Sequence, residues 1–267
     1  SAGGRYTAVQ AAANGINNTS GLLIGAYKVT PQVRIGAYLD QNLSINNASG
    51  SVILSNGAPL FGLFGAWNEN SDGTGTEVKV TAAYGQKNAT ITRQAVGTSE
   101  VGVGSSTLNT QGVQVAAKYG FSVAPNVIVS PYIGLRYSQN NMSGFTEGAT
   151  SAVTVPLTYS VLNTNATTLL AGVGASSRFM PKATVFASAG VENDPNTTSG
   201  TYIASGVLHL DPISFNPNFV KTRLTATAGA YYDLANTQRI GITGMYRQEP
   251  FQNISTTSVM ATYTIGL

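Results

Sequence analysis

The sequence predicts an all-β protein, a single transmembrane antiparallel β-barrel with twelve strands as the preferred number. Three observations lead to this prediction. Apolar and polar residues alternate over long segments, short turns alternate with long polar loops, and only 9% of the 267 residues are charged. Soluble domains contain about 25% charged residues, whereas segments of about ten residues with alternating hydrophobicity are typical of strands that cross a membrane. We expect residues 1–267 to form one domain.

The alternation is clearest in residues 221–267. Between Arg223 and Leu234, one face of the predicted strand carries only leucine, alanine and tyrosine, and the opposite face carries both charged residues with threonine, glycine and Tyr231. The pattern resumes after a turn at 235–238 and again in the final strand. The apolar face of that last strand contains Val259, Ala261, Tyr263, Ile265 and Leu267.

Eight further segments earlier in the chain show the same period of two. They span 21–29, 33–43, 60–70, 77–86, 112–123, 127–138, 168–179 and 184–192. Short connections (30–32, 71–76, 124–126, 180–183, 235–238) alternate with long ones (44–59, 87–111, 139–167, 193–221, 248–256). Bacterial outer-membrane barrels have short periplasmic turns and longer exterior loops, so this alternation assigns a side of the membrane to each strand end.

The first strand is the one element for which the pattern allows two interpretations. The clear segments give eleven strands, and an even barrel with both ends in the periplasm needs one more at the start. Residues 5–15 are the segment available for it, although their alanines also favour helix. The alternative is a helix in residues 5–14 that plugs the lumen, with the twelfth strand taken from the 201–210 region.

Charged residues in predicted strands 2 to 11 lie on the face that carries glycine, serine and threonine, and none lies on the apolar face. A lysine or arginine on the lipid face costs about 2–4 kcal/mol at mid-membrane, so these side chains are predicted to line the lumen. They are Lys28, Arg34, Asp40, Glu77, Lys79, Lys118, Arg136, Arg178, Glu192, Arg223, Asp233, Arg239 and Arg247. Nine are basic and four acidic, a surplus of five positive charges.

Aromatic residues on the apolar face are concentrated near strand ends, where they would form the girdles of a membrane barrel. These residues are Tyr27, Trp67, Tyr84, Tyr119, Phe121, Tyr137, Phe179, Tyr232 and Tyr246.

Two strand-turn-strand units, at residues 25–36 and 117–127, pass from a strand of small and aromatic residues through a proline-containing turn into the next strand. Together with the predicted strand number and chain length, they resemble the β-domains of bacterial autotransporters (type V secretion). The resemblance implies an outer-membrane translocator that mediates secretion or surface display of an N-terminal passenger. It also implies membrane lipids, the barrel-assembly machinery and the chain's own passenger segment as partners. The apolar face of the final strand would be the assembly signal, although it ends in Leu267 where the family usually has phenylalanine or tryptophan.

The family also places a helix in the lumen before its first strand. Because the chain starts at Ser1 without a signal peptide and only four residues precede the first predicted strand, we expect that helix and the passenger to have been removed. We expect a monomer without cofactor, metal or nucleic-acid partner.

Two other functions remain as alternatives. The surplus of basic lumen residues is also typical of a passive pore for small anions. An outer-membrane lipase has a similar size, but the one histidine, His209, lies in a predicted loop without a serine two residues later. We therefore predict no catalytic residue.

Overall fold

The computed structural model describes residues 2–10, 16–47, 52–55, 58–93, 102–148, 156–198, 200–206, 213–214 and 216–266, and within them every regular element is a β-strand. The strands are β1 (Ala2–Gln10), β2 (Ile16–Lys28), β3 (Val33–Asn47), β4 (Val52–Ser55), β5 (Leu60–Asn68), β6 (Gly75–Arg93), β7 (Gly102–Ala124), β8 (Val127–Met142), β9 (Phe145–Thr146), β10 (Thr158–Tyr159), β11 (Leu162–Met180), β12 (Ala183–Thr198), β13 (Thr201–Tyr202), β14 (Ala204–Ser205), β15 (Ile213–Ser214), β16 (Thr222–Ala235), β17 (Gln238–Gln248) and β18 (Ser255–Ile265).

The long strands pair into one closed antiparallel sheet. Its order is β6-β5-β3-β2-β1-β18-β17-β16-β12-β11-β8-β7, and β7 pairs with β6 again to close the ring. The sheet has 13 strands, and the short β4 pairs only with β6, so the ring of described strands contains 13 − 1 = 12 members. Closure leaves no free sheet edge, as a strand structure in lipid requires. The prediction of an all-β antiparallel barrel is confirmed.

The first strand belongs to the ring. Residues 2–10 pair with β18 on one side, where Ala2 faces Tyr263, and with β2 on the other, where Ala2 faces Leu23. A helix over residues 5–10 is therefore wrong, and residues 11–14, the rest of that alternative, lie outside the described residues. In the 201–210 region, the described residues form only the two-residue strands β13 and β14.

Several strands are longer than predicted at the end that carries the long loops. Strands β6 and β7 pair without interruption as far as Arg93 and Gly102, so the predicted loop at 87–111 is mostly a strand hairpin. Strand β12 continues to Thr198, and β11 starts at Leu162. The added residues are mainly asparagine, serine and threonine. Hydrophobic alternation ends where the strand leaves the lipid, but backbone pairing needs no apolar side chain and continues.

Burial is reversed compared with a water-soluble protein. The buried set is mostly polar or charged: Ser20, Asp40, Ser106, Glu147, Thr168, Thr184, Glu192, Asp194, Asn216 and Arg223. On the opposite strand face, large apolar side chains such as Ile133 and Ile242 are exposed. The nine aromatic residues predicted for the lipid face are each at least 39% exposed. An apolar exterior this continuous is stable only in contact with lipid.

Tight turns close one end of the barrel, the end assigned to the periplasm. Asn126 adopts a left-handed conformation (φ 61°) between β7 and β8. In the turn between β5 and β6, Gly73 has φ 87°, and the Asp72 carboxylate accepts hydrogen bonds from the Thr74 hydroxyl (2.6 Å) and backbone N–H (2.9 Å). These hydrogen bonds, chiefly the one from the hydroxyl, lower the pKa of Asp72.

At the exterior end, the long loops pack on one another. Strands β9, β10 and β14 form a small sheet there, and Phe145 stacks on Tyr159 with ring centroids 4.7 Å apart. Glu147 is buried beneath them and accepts hydrogen bonds from the Arg93 guanidinium (2.9 and 3.0 Å) and the Tyr159 hydroxyl (3.1 Å). This contact ties the β6–β7 hairpin to the loop after β8.

Candidate functional site: the charged lumen

The inner face of the barrel can be followed across the sheet, because directly paired residues of antiparallel strands point to the same side. One such row runs through Glu77, Lys118, Tyr132, Gly172, Gly190, Thr225 and Arg247. The Tyr132 ring lies over Gly172 and Gly190, where an added Cβ would collide with its hydroxyl. The adjacent row, which includes Ala226 and Tyr246, points outward.

The most buried charged group on the inner face has members on β8, β12, β16 and β17, and β11 lies between the first two of these strands. We call it the arginine belt, and its members are Arg136, Glu192, Asp194, Arg223 and Arg247. Glu192 receives both terminal nitrogens of Arg136 (3.2 and 2.7 Å), one from Arg223 (3.3 Å) and one from Arg247 (3.1 Å). Arg223 also forms a two-pronged contact with Asp194 (2.6 and 3.1 Å).

The centre of the arginine belt is shielded from solvent. Arg223 is 1%, Asp194 2% and Glu192 4% exposed. The Thr168 hydroxyl donates to Asp194 Oδ1 (2.5 Å), and Arg223 donates to the Val220 carbonyl (3.1 Å). Three guanidinium groups against two carboxylates leave one positive charge in excess. At such burial, removing one partner leaves an uncompensated charge and is strongly destabilising.

Two members of this network were missed by the sequence prediction. Asp194 follows Glu192 by two positions and so shares its face, but the predicted strand ended at Glu192. Extending the alternation past that residue would have found it. Thr168 lay in a predicted strand with the right parity, but one threonine among many gives no signal for its contact with a buried carboxylate.

A second charged group lies at the periplasmic end, near the turns that follow β11 and β16. Arg239 Nε donates to Asp233 Oδ1 at 2.6 Å, and Arg178 approaches the other carboxylate oxygen at 4.0 Å. The Arg239 guanidinium also lies 3.9 Å from the centre of the Tyr231 ring, a cation–π contact.

The third group lies at the same end on the opposite part of the ring. It contains Lys28, Arg34, Glu77, Lys79 and Lys118. Lys118 contacts Glu77 at 3.4 Å, and the Lys79 ammonium lies 5.6 Å from the centre of the Phe64 ring. Lys28 and Arg34 are directly paired across β2 and β3 and, with Glu77, line a cavity of about 290 Å³. Four basic residues and one acidic residue make this the most positive part of the inner face.

A half-open cavity of about 520 Å³ lies between the arginine belt and the exterior loops. Arg136, Arg223 and Arg247 form part of its wall, and Phe219 and Phe251 lie on the loop side. The loop side is held in place by hydrogen bonds to the Pro250 carbonyl from the Val220 N–H (2.9 Å) and the Asn216 side chain (3.1 Å). Arginine side chains therefore line one side of this cavity, and the loop side combines Phe219 and Phe251 with the polar Asn216 and the charged Glu249.

The remaining predicted residues are distributed as follows. Asp40 is buried at 6% exposure. In β18, Val259, Ala261, Tyr263 and Ile265 are exposed and alternate with half-buried neighbours, whereas Leu267 lies outside the described residues. His209 also lies outside them. Their roles, like those of the lumen charges, remain predictions.

Within the described ranges, no group of three or more histidine, cysteine or acidic residues could hold a metal ion. The same part of the chain contains no helix that is long and apolar enough to cross a membrane.

The whole chain aligns with several solved structures, and three of them are described here by their similarity to it. The translocator domain of the autotransporter NalP from Neisseria meningitidis matches with a TM-score of 0.73 at 19% identity, over 87% of that chain. The β-domain of the Bordetella autotransporter BrkA matches with a TM-score of 0.62 at 15% identity, over 98% of that chain. The transport unit of the Escherichia coli autotransporter AIDA-I matches with a TM-score of 0.54 at 11% identity, over 89% of that chain. No curated protein sequence matches the chain.

At these identities, structural similarity establishes the fold alone. The family is established by sequence, because the model of the autotransporter β-domain matches residues 2–247. The resemblance inferred from the strand-turn-strand units is thus confirmed over nearly the whole chain. The protein belongs to the autotransporter β-domain family.

Proposed function

We propose that this barrel is a translocator in the bacterial outer membrane that mediates secretion and surface display of a passenger attached at its N-terminal end. The observation that carries the proposal is the family match over residues 2–247. The closed ring agrees with it. Strand β1 starts at the periplasmic end, where Ala2 pairs with Tyr263, so a segment joined there starts beside the periplasmic mouth of the lumen.

The charged groups of the lumen are proposed to contact the passenger segment. The third group, with four basic residues and one acidic, faces the periplasmic mouth, and the arginine belt lies farther along the lumen. Charges in a narrow channel of low dielectric constant attract oppositely charged groups strongly, so acidic parts of a passenger would be drawn to both sites. No step of this process requires a catalytic residue, and we propose that the chain is not an enzyme.

The partners follow from the two faces of the barrel. The exposed apolar rows contact outer-membrane lipids, and aromatic residues at the strand ends lie at the level of the head groups. The exposed face of β18, with Val259, Ala261, Tyr263 and Ile265, is proposed to be read by the barrel-assembly machinery. We propose that one chain forms the complete unit, because the ring closes on itself.

The test is display of a reporter in a Gram-negative host. A signal peptide and an epitope-tagged passenger are fused before Ser1, and folded barrel is measured by its heat-modifiable migration on a gel. Antibody labelling of intact cells and removal of the epitope by external protease are expected. A folded barrel whose passenger stays in the periplasm would contradict the proposal.

A matched variant pair separates loss of translocation from loss of assembly. Lys28→Gln with Arg34→Gln alters the third group, and Lys182→Gln removes a basic charge from the exposed turn after β11. We expect the first to slow display of an acidic passenger and the second to leave it unchanged, with equal amounts of folded barrel.

A passive anion pore is the second candidate, and the observation that favours it is the surplus of basic lumen residues. The two functions differ in the fate of the reporter: a pore would conduct without exporting it.

A further inference from the structure

We propose that residues 216–221, which directly precede β16, form a latched strap over the exterior end of the lumen. We call this segment the exit strap. The structure holds it in the closed position, and the release of two hydrogen bonds would open the lumen. The movement belongs to the barrel itself, so the proposal does not depend on passenger export.

The exit strap borders a space that extends across the lumen. The cavity of about 520 Å³ has Leu108 of β7 and Arg247 of β17 in its wall. These two strands are five positions apart in the ring, in the order β17-β16-β12-β11-β8-β7, and are therefore almost opposite each other. Phe219 of the strap and Phe251 of the loop between β17 and β18 border the same cavity. The strap and this loop thus cover part of its exterior side.

A single acceptor, the Pro250 carbonyl, latches the exit strap to the loop at 249–254. It accepts hydrogen bonds from the Val220 N–H (2.9 Å) and from the Asn216 side-chain amide (3.1 Å). Asn216 is only 9% exposed, so water has little access to replace this partner of its amide. The strap is therefore held closed by two contacts that are lost together when it moves away from one atom.

The loop side of the latch is braced, which makes the exit strap the moving part. The Glu249 N–H donates to the Ile254 carbonyl (2.9 Å), and the Thr256 hydroxyl donates to the Glu249 carboxylate (2.7 Å). On its N-terminal side, by contrast, the strap continues toward β15, which pairs in the described part of the chain only with the two-residue strand β13. That end belongs to the exterior loops and not to the barrel wall.

The C-terminal end of the exit strap is fixed to the arginine belt and provides the hinge. The Asp194 N–H donates to the Lys221 carbonyl (2.9 Å). Arg223 donates to the Val220 carbonyl (3.1 Å) and to the Asp194 carboxylate (2.6 Å). A change in the backbone angles of Val220 would break its N–H contact with Pro250 and preserve the contact of its carbonyl with Arg223. A peptide that leaves the lumen by this path would have to release the strap, and this consequence alone rests on the proposed function.

Single-channel recording of the purified barrel in planar bilayers measures how often the lumen opens, and a disulfide fixes the strap. The chain contains no cysteine, so the double variant Val220→Cys with Pro250→Cys has one thiol pair. We expect openings to disappear when this disulfide forms and to return after reduction with dithiothreitol. The control, Thr237→Cys with Gly266→Cys, joins another pair of residues linked by a backbone hydrogen bond (2.7 Å), at the periplasmic end. Its disulfide should leave the openings unchanged, and an equal effect of the two disulfides would overturn the proposal.

Asn216→Ala tests the latch without a cross-link and also decides the question if the disulfide does not form. It removes one of the two hydrogen bonds to Pro250, and we expect the ratio of open to closed time to rise about five-fold. Gln252→Ala is the matched control, because it removes an exposed amide from the same loop and leaves the latch intact. An equal ratio in Asn216→Ala and the unaltered barrel, whether both conduct or both remain sealed, would overturn the proposal as well.

Discussion

Replacing Glu192 by glutamine should destabilise the barrel strongly, because this residue is the common partner of three arginines. The substitution preserves the shape of the side chain and removes its charge. Glu192 has a side chain only 6% exposed and contacts Arg136, Arg223 and Arg247 at 2.7, 3.3 and 3.1 Å. Breaking a buried ion pair costs about 3–5 kcal/mol, and we expect about 3 kcal/mol because the partly exposed Arg247 can turn toward water.

Urea unfolding of the barrel in lipid vesicles measures this cost through the loss of the folded, heat-modifiable band. With a slope of about 1–3 kcal/mol/M, the midpoint should fall by roughly 1–3 M. Glu77→Gln is the matched control, since Glu77 has one ion pair at 3.4 Å and a side chain 29% exposed. Its cost should stay below about 1 kcal/mol.

A double variant tests whether arginines left without a carboxylate cause this loss of stability. In Glu192→Gln, Arg223 keeps its contact with Asp194, whereas Arg136 and Arg247 lose the carboxylate they share. Adding Arg247→Gln removes one of these two uncompensated cations, and we expect it to restore about 1 kcal/mol of the free energy of unfolding. Equal midpoint shifts for Glu192→Gln and Glu77→Gln would refute the reasoning. So would a further loss of stability in the double variant.

Three further predictions follow from the two faces and two ends of the barrel. Ala226→Asp should block assembly because it places a charge on the lipid face, whereas Thr227→Asp on the inner face should reduce assembly less. Equal yields of heat-modifiable barrel from the two variants would contradict this assignment of faces. Protease added to intact cells should cut within 139–167 or 193–221 and spare the turn at Pro181, and first cleavage at that turn would invert the topology. The purified barrel should conduct chloride in preference to potassium in planar bilayers, less so at high salt, because nine basic lumen residues face the four predicted acidic ones and Asp194. Preference for potassium would show that the ion pairs leave no effective surplus.

The fold was predictable because a membrane barrel imposes a simple rule on its sequence. Every second residue must be compatible with lipid, so parity assigns side chains such as Ile133 and Arg136 to opposite faces without any knowledge of strand pairing. This constraint no longer applies to residues beyond the membrane edge. Between Lys87 and Thr110, scattered apolar residues such as Ile91 and Leu108 stand in a mostly polar sequence without a sustained period of two, and the sequence pattern could not distinguish paired strands from a loop.

The candidate site was predictable only in part, because parity determines the side of the sheet and says nothing about level along the barrel. Arg136 and Arg178 have the same parity class in the prediction, yet one joins the arginine belt and the other lies at the periplasmic end. Which charges meet depends on the pairing register of neighbouring strands. That register is a property of the closed sheet and cannot be read from one strand at a time.

The arginine belt depends on the pairing register of its strands and also stabilises that register. Glu192 pairs directly with Arg223 across β12 and β16, and Arg223 reaches Asp194 two positions along the same strand. A slip of one residue between these strands would turn Arg223 toward the lipid, and a slip of two would change its distance from Glu192 by about 7 Å. Either arrangement leaves a charge unpaired at low dielectric, so the network favours one register over its neighbours. The same residues that give the lumen its positive charge therefore also help to specify how the barrel closes.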